Sequence, residues 1–282
     1  MMRQKSFVNG KATLYIVATP IGNLKELTPR AIEVLKNVSV IAAEDTRNSS
    51  QLLRKFDIST KLIAHHTFNE KSSSEGIISI LEKGEDVAII SDAGYPLISD
   101  PGYLLVNEAV KNGFNVVPVS GSSAGINALV ASGLVTQPYI FFGFLNANPN
   151  DASKQLESLK HQTMTMIFYV SPHKLIKHLT LVREVFGNRN ACLARELTKK
   201  FEEFIRGTLD EIILEADNLK GEMVLVVEGY VEEKKDISFY DLNLEIEEYI
   251  KSGMSAKEAI KMLAKKYDIS KNELYNQYHK VN

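Results

Sequence analysis

Asp86-Val87-Ala88-Ile89-Ile90-Ser91-Asp92-Ala93-Gly94-Tyr95-Pro96-Leu97-Ile98-Ser99-Asp100-Pro101-Gly102 is the stretch on which the reading of the fold turns. Val87–Ile90 has the apolar, β-branched character of a buried strand, and it opens into a loop with two Asp, two Gly and two Pro. Gly94 and Gly102 permit backbone geometry closed to other residues, Pro96 and Pro101 stiffen the path, and Asp92 and Asp100 supply acceptors. A loop of this kind beyond the carboxyl end of a buried strand is where open α/β sheets hold ligands. The plainer alternative is a rigid connection with solvated carboxylates.

Working outward, strands and helices alternate. Strands are expected at Leu14–Ala18, Val38–Ala42, Leu62–Ala64, Val87–Ile90 and Asn115–Pro118, with helices from Pro29 behind a Thr28 cap, and at Ser49–Lys55, Glu75–Lys83 and Tyr103–Asn112. This alternation implies a parallel sheet covered on both faces. A second set follows Ser120-Gly121-Ser122-Ser123. Its helices are Ala124–Ser132, Pro172–Phe186 and Asp210–Ala216; its strands are Tyr139–Phe144, Met164–Val170, Ala191–Arg195, a hairpin arm at Glu203–Gly207, and Glu222–Glu228. The expected fold class is α/β: an N-terminal lobe over 11–119, a second α/β lobe over 120–231, and a cleft between them. Residues 232–282 read as a charged linker, Glu232–Asp236, and a small module with helices at Leu244–Ser252, Ser255–Tyr267 and Lys271–Tyr278, with Ser255 and Ser270 as candidate caps. From Lys251 onward, seven Lys stand against three acidic residues, which suits either a nucleic-acid reader or a solvated appendage.

Composition narrows the function classes. A chain of 282 residues with 44% apolar content can fill real cores, and a net charge of −2 confines nucleic-acid binding to local patches. The single cysteine, Cys192, leaves no disulfide and no thiolate metal cluster, and no metal is expected. The Met1–Lys5 start lacks the apolar segment of a secretory signal, and no apolar run approaches the roughly 20 residues of a membrane span. A cytoplasmic protein without membrane partners is the expectation. Neither the Rossmann nor the P-loop glycine pattern occurs, and the adjacent His65 and His66 would point to opposite sides of a strand, which favours structural roles.

Four segments would gather at strand ends: Thr19–Asn23, Glu44–Arg47, Ser91–Gly102 and Ser120–Ser123. Ser122 and Ser123, opening a helix, offer hydroxyls and free N–H groups to a carboxylate or ribose, or act only as caps. Arg195-Glu196-Leu197-Thr198-Lys199 is either a solvated hairpin or a polar substrate contact.

These segments carry a resemblance. LYIVATPIGNLKELTPRAIEVL (14–35), AAEDTRNSSQLL (42–53), the His66–Glu70 segment, SDAGYPLISDPG (91–102), PVSGSSAGINAL (118–129), SPHK (171–174) and ARELTKKFEEFIRGTL (194–209) together resemble the rRNA small subunit methyltransferase I family of the tetrapyrrole methylase superfamily. The resemblance runs in order from about Lys11 to Gly229, and the terminal helices resemble that family's C-terminal module. It implies two αβα lobes of tetrapyrrole methylase type with S-adenosyl-L-methionine in the cleft and S-adenosyl-L-homocysteine as product. It also implies a homodimer, and methylation of a cytidine ribose 2′-oxygen in the decoding region of 16S rRNA, free or within the 30S subunit.

Carried over residue by residue, the resemblance implies cofactor contacts from Asp92, Ala93, Gly94, Ser122, Ser123, Ala124, Tyr169, Val170, Ala194, Glu222 and Met223. A base could be Asp45, with Arg47 orienting it or binding phosphate, or Glu196 with Lys199; alternatively Asp45 and Arg47 only pair with each other to fix their loop. The chain departs from the family pattern in three places. Asn146–Asp151, expected as an RNA-facing loop, stands where relatives carry a basic stretch, Tyr169-Val170-Ser171-Pro172-His173-Lys174 lacks a carboxylate and has Lys for Arg, and Lys200-Phe201 replaces a His. A tetrapyrrole methyltransferase and a noncatalytic S-adenosylmethionine-sensing ribosome-binding protein are the competing readings.

Overall fold

The computed structural model describes residues 3–232, 239–267 and 269–281. Apolar runs of four or five residues, each followed by a helix start, build the first sheet. Its elements are β1 (Thr13–Val17), α1 (Pro29–Asn37), β2 (Val40–Ala43), α2 (Thr46–Arg54), β3 (Lys61–Ala64), α3 (Glu70–Glu82), β4 (Val87–Ile90), α4 (Tyr103–Lys111) and β5 (Asn115–Val119). All pairings are parallel, in the order β3-β2-β4-β1-β5. The central strands β2 and β4 are buried throughout, as strands covered on both faces must be. Leu35, Ile41 and Leu53 fill one face; Leu14, Ile77, Leu81 and Leu105 fill the other.

Thr28 caps α1 as its sequence predicts, accepting from the Ala31 N–H at 3.1 Å with Pro29 in the first turn. In this lobe two helices begin earlier than expected. Helix α2 starts at Thr46 because the Asp45 side chain accepts from the Arg47 N–H at 2.8 Å. Helix α3 starts at Glu70, although Asn69 makes no side-chain cap there and the following serines are weak helix formers.

The second sheet is built by α5 (Ala124–Ala131), β6 (Tyr139–Phe144), α6 (Pro149–Leu159), β7 (Thr165–Val170), α7 (Leu175–Phe186), β8 (Asn190–Arg195), β9 (Glu203–Thr208), α8 (Leu209–Glu215) and β10 (Met223–Val227). It runs β6-β7-β10-β8-β9; β10 is antiparallel to both β7 and β8. The segment Asn146–Asp151, expected as a loop, contains a helix start: Asn148 caps α6, accepting from the Asn150 N–H at 2.9 Å with Pro149 in the first turn. The small residues of α5 let it lie close against this sheet: a Cβ on Gly125 would sit 3.1 Å from the Phe141 ring. On that face Ile21 of the first lobe joins Ala128, Leu129, Ile167, Leu197 and Val224 in one apolar cluster. The opposite face packs against α6, α7 and α8 through Leu156, Phe168, Leu179 and Ile212.

Both sheets lie in one compact unit, Met1–Tyr230; Val231–Asn282 is a second. In the second unit α9 (Phe239–Lys251), α10 (Ala256–Lys266) and α11 (Lys271–Val281) bury Leu242, Ile246, Ile260, Leu263 and Leu274. Ser255 caps α10 in a reciprocal box with Glu258, as its position predicts. The expected linker, Glu232–Asp236, lies outside the described residues from position 233 onward. No helix among the described residues is long and apolar enough to cross a membrane.

Candidate active site

The chain leaves β1 toward β2 and leaves β4 toward β5, so the carboxyl ends of these neighbouring strands form a topological switch point. The two loops are joined there by a backbone pair: the Thr19 N–H donates to Gly94 O at 2.9 Å, and the Gly94 N–H donates to Thr19 O at 3.1 Å. Gly94 makes this turn at φ +77°. Four residues between 94 and 102 have positive φ, and Leu97 (+70°) and Ser99 (+68°) do so with side chains, a conformation that concentrates at functional sites. Glu70 anchors the loop's far end, accepting from the Gly102 and Leu104 N–H groups at 2.9 and 3.2 Å.

The second sheet presents one edge to this loop. Antiparallel pairing sets Met223, at the start of β10, beside Val170 at the end of β7 and Arg195 at the end of β8. The space between is a cleft of about 420 Å³, within the roughly 300–1,000 Å³ typical of small-molecule sites. Its walls are polar on the first-lobe side (Asp92, Ser99, Asp100) and largely apolar on the other (Phe144, Tyr169, Val170, Met223). Tyr169 packs edge-on against both Phe141 and Phe144, at centroid distances of 5.1 and 5.3 Å.

Asp92, Ala93, Gly94, Ser123, Ala124, Tyr169, Val170, Glu222 and Met223 all line this cleft. Ser122 and Ala194 do not. The Ser122 hydroxyl turns away to donate to Glu26 Oε2 at 2.5 Å, and Ala194 is buried beneath the wall, paired with Val224. The cleft also takes residues that motif reading did not single out as site residues: Ile21, Ile98, Ser99, Asp100, Phe144 and Leu197. Asp100 lay within the quoted loop, but nothing local distinguishes it from Asp92.

The other charged candidates are paired. Arg47 Nη2 bonds Asp45 Oδ2 at 3.0 Å, and the Arg47 side chain is 88% exposed. Hydrogen bonds from the Arg47 side chain and backbone hold the Asp45 carboxyl below the usual Asp range. Lys199 Nζ bridges Glu196 at 3.0 Å and Glu222 at 2.9 Å. The Lys199 hydrogen bond lowers the Glu196 pKa; burial pulls Lys199 down, but its bonds to Glu222 and Glu196 outweigh that and raise it. Across the lobes, a Cβ on Gly22 would sit 2.5 Å from Lys199 Cγ, so this approach needs a glycine.

By contrast, burial raises the pKa of both Asp100 and Glu44, with Asp92 adding to each and Asp100 to Glu44. His65 Nδ1 lies 2.7 Å from Ser73 Oγ in a buried structural contact. Among the described residues no group of three or more His, Cys, Asp or Glu side chains is arranged to hold a metal ion.

Residues 13–213 match the family model described as Tetrapyrrole (Corrin/Porphyrin) Methylases. Curated proteins named ribosomal RNA small subunit methyltransferase I are similar over nearly their whole length. The Bacillus subtilis protein is 44% identical over 99% of each chain, and one from Streptococcus pyogenes is 43% identical over the same shares. Among solved structures, diphthine synthase superposes with a TM-score of 0.60 at 13% identity, covering 77% of this chain and 90% of its own. Uroporphyrin-III-C-methyltransferase from Thermus thermophilus gives 0.54 at 18% identity, covering 77% and 94%. At such identities these two structures speak to the fold alone.

Proposed function

The chain belongs to the tetrapyrrole methylase family, within its rRNA small subunit methyltransferase I branch, and from that premise we propose that it methylates the ribose 2′-oxygen of a 16S rRNA cytidine in the cytoplasm. The observation that carries this reading is the near-end-to-end similarity to proteins of that name, which extends past the two lobes into the C-terminal helices. S-adenosyl-L-methionine supplies an activated methyl group when bound. The donor set suits it: the Gly94 turn, the Ser123-to-Ala124 helix start and the Asp92 carboxylate are polar, while Tyr169, Val170 and Met223 offer an apolar wall to a purine or a thioether. We assign these residues, with Ala93 and Glu222, to the cofactor.

Transfer between a hydroxyl and a sulfonium is governed by alignment, and orientation of this kind can be worth roughly 7–11 kcal/mol. Two lobes that meet through the Ile21 cluster and the Gly22–Lys199 approach provide a rigid frame for it. Exposed Arg47 at the rim suits an RNA phosphate. So does the α10 face carrying Lys257, Lys261 and Lys265, spaced four residues apart and all exposed. Asp45 keeps Arg47 in place, and Glu196 and Lys199 shape the opposite rim. We further propose a homodimer as the working form.

Incubation with S-adenosylmethionine carrying a labelled methyl group and unmodified 30S subunits, followed by mass-spectrometric mapping, tests this reading. The expected product is one 2′-O-methylcytidine in the decoding region. Bound cofactor with no transfer to 30S subunits or free 16S rRNA overturns it.

A further inference from the structure

Three carboxylates line the cleft: Asp92, Asp100 and Glu222. Asp92 is exposed and accepts a hydrogen bond from Asn48 Nδ2 at 2.9 Å; the Glu222 side chain is 74% exposed and bound to Lys199. Asp100 differs from both. It is half-buried and has no ion pair among the described residues. The Asp45 and Glu196 carboxylates are held by Arg47 and Lys199.

The backbone around Asp100 is fixed from three directions. Ser99 before it holds φ +68° and Gly102 beyond it φ +128°, Glu70 clamps the loop's far end, and Ser99 Oγ is close enough to β6 that a Cβ on Gly143 would meet it at 3.2 Å. This segment therefore crosses the cleft to the second lobe, where the charge of Asp100 is felt by the Tyr169 phenol.

We propose that Asp100 is the general base of the transfer, taking the proton of the ribose 2′-hydroxyl; the assignment rests on the reading of the chain as a ribose 2′-O-methyltransferase. In that step the 2′-oxygen forms its bond to the methyl carbon while the carbon–sulfur bond breaks. The electron pair leaves with sulfur, and the hydroxyl proton passes to the Asp100 carboxylate and then to solvent. The titratable groups facing Asp100 are Asp92 from its own loop, Glu44 from the end of β2 and Tyr169 from β7. Burial and Asp92 raise its pKa against a lowering hydrogen bond with Ser91, which makes it a stronger base than a solvated aspartate.

The test is Asp100→Asn in the full-length protein, assayed for methyl transfer to 30S subunits and for S-adenosylhomocysteine affinity by calorimetry. The expected result is a kcat lower by about 10²–10⁴-fold with affinity changed less than about threefold. In the unsubstituted protein, kcat should rise with pH along a single-proton limb that the variant lacks. A kcat within about tenfold of the original, an affinity loss matching the kcat loss, or an unsubstituted protein whose kcat shows no such limb overturns the assignment and leaves the methyltransferase reading standing. An unsubstituted protein that binds S-adenosylhomocysteine but transfers nothing to rRNA overturns both.

Discussion

The loop after β4 and the loop after β8 are made of similar materials and treat them oppositely. Both meet the cleft, both carry carboxylates, and both hold non-glycine residues at positive φ, Leu97 and Ser99 in one and Glu196 and Thr198 in the other. In the β8 loop the carboxylates are paired, since Lys199 bridges Glu196 and Glu222. In the β4 loop the charge is concentrated: burial first and then Asp92 raise the pKa of both Asp100 and nearby Glu44, Asp100 adds to the rise at Glu44, and none of the three has an ion pair among the described residues. One loop spends its polar groups on holding itself together. The other keeps a carboxylate in reserve, at some cost in stability, as sites evolved for activity commonly do.

The largest effect should come from the β4 loop's backbone. Gly102→Ala places a Cβ at φ +128°, 3.0 Å from Ile89 Cδ1 and 3.2 Å from Leu97. Denaturant unfolding should show a loss of about 1–3 kcal/mol; an unchanged midpoint would mean that this loop is no more constrained than an ordinary surface turn.

A smaller pair of effects should have opposite signs. Glu196 has a lowered pKa, so its contribution is complete above the ordinary Glu value and disappears as pH falls through the folded value. Glu196→Gln should therefore destabilise at pH 7, by less than about 1 kcal/mol because the pair is partly solvated. Asp100 has a raised pKa, so the folded state binds the proton more tightly than the unfolded state. Stability then falls as pH rises from the ordinary Asp value through the folded one. Asp100→Asn should consequently melt slightly above the unsubstituted protein at pH 7, with the gain vanishing below pH ~4. Melting curves at pH 3.5, 5 and 7 check both signs, and a destabilised Asp100→Asn at pH 7 would erase the contrast between the loops.

Much of the frame was legible because it depends on neighbours in the chain. The Thr28-Pro29 helix start, the Ser255 cap and the buried run Val87–Ile90 are local signals, and they fold as they read. Local signals also misled: Asn148-Pro149-Asn150-Asp151 has turn composition but opens α6, because the Asn148 cap and a proline in the first turn serve a helix start equally well. The Asp45–Arg47 pair, two residues apart, was legible as one of two alternatives. The Lys199–Glu222 bond, 23 residues apart across a strand order set by β10, was not.

By itself the sequence determined the alternation of elements, the loop at the switch point, the family and the residue types available for chemistry. The elements, the loop and the residue types rest on spacing, capping or composition within a few residues, while the family rests on a resemblance running in order from about Lys11 to Gly229. Only the tertiary structure decided which of two aspartates in one loop is half-buried, which carboxylates are paired with a cation, and that Ser122 and Ala194 do not line the cleft. Burial and ion pairing arise where segments distant in the chain meet, and no short window of sequence contains both partners.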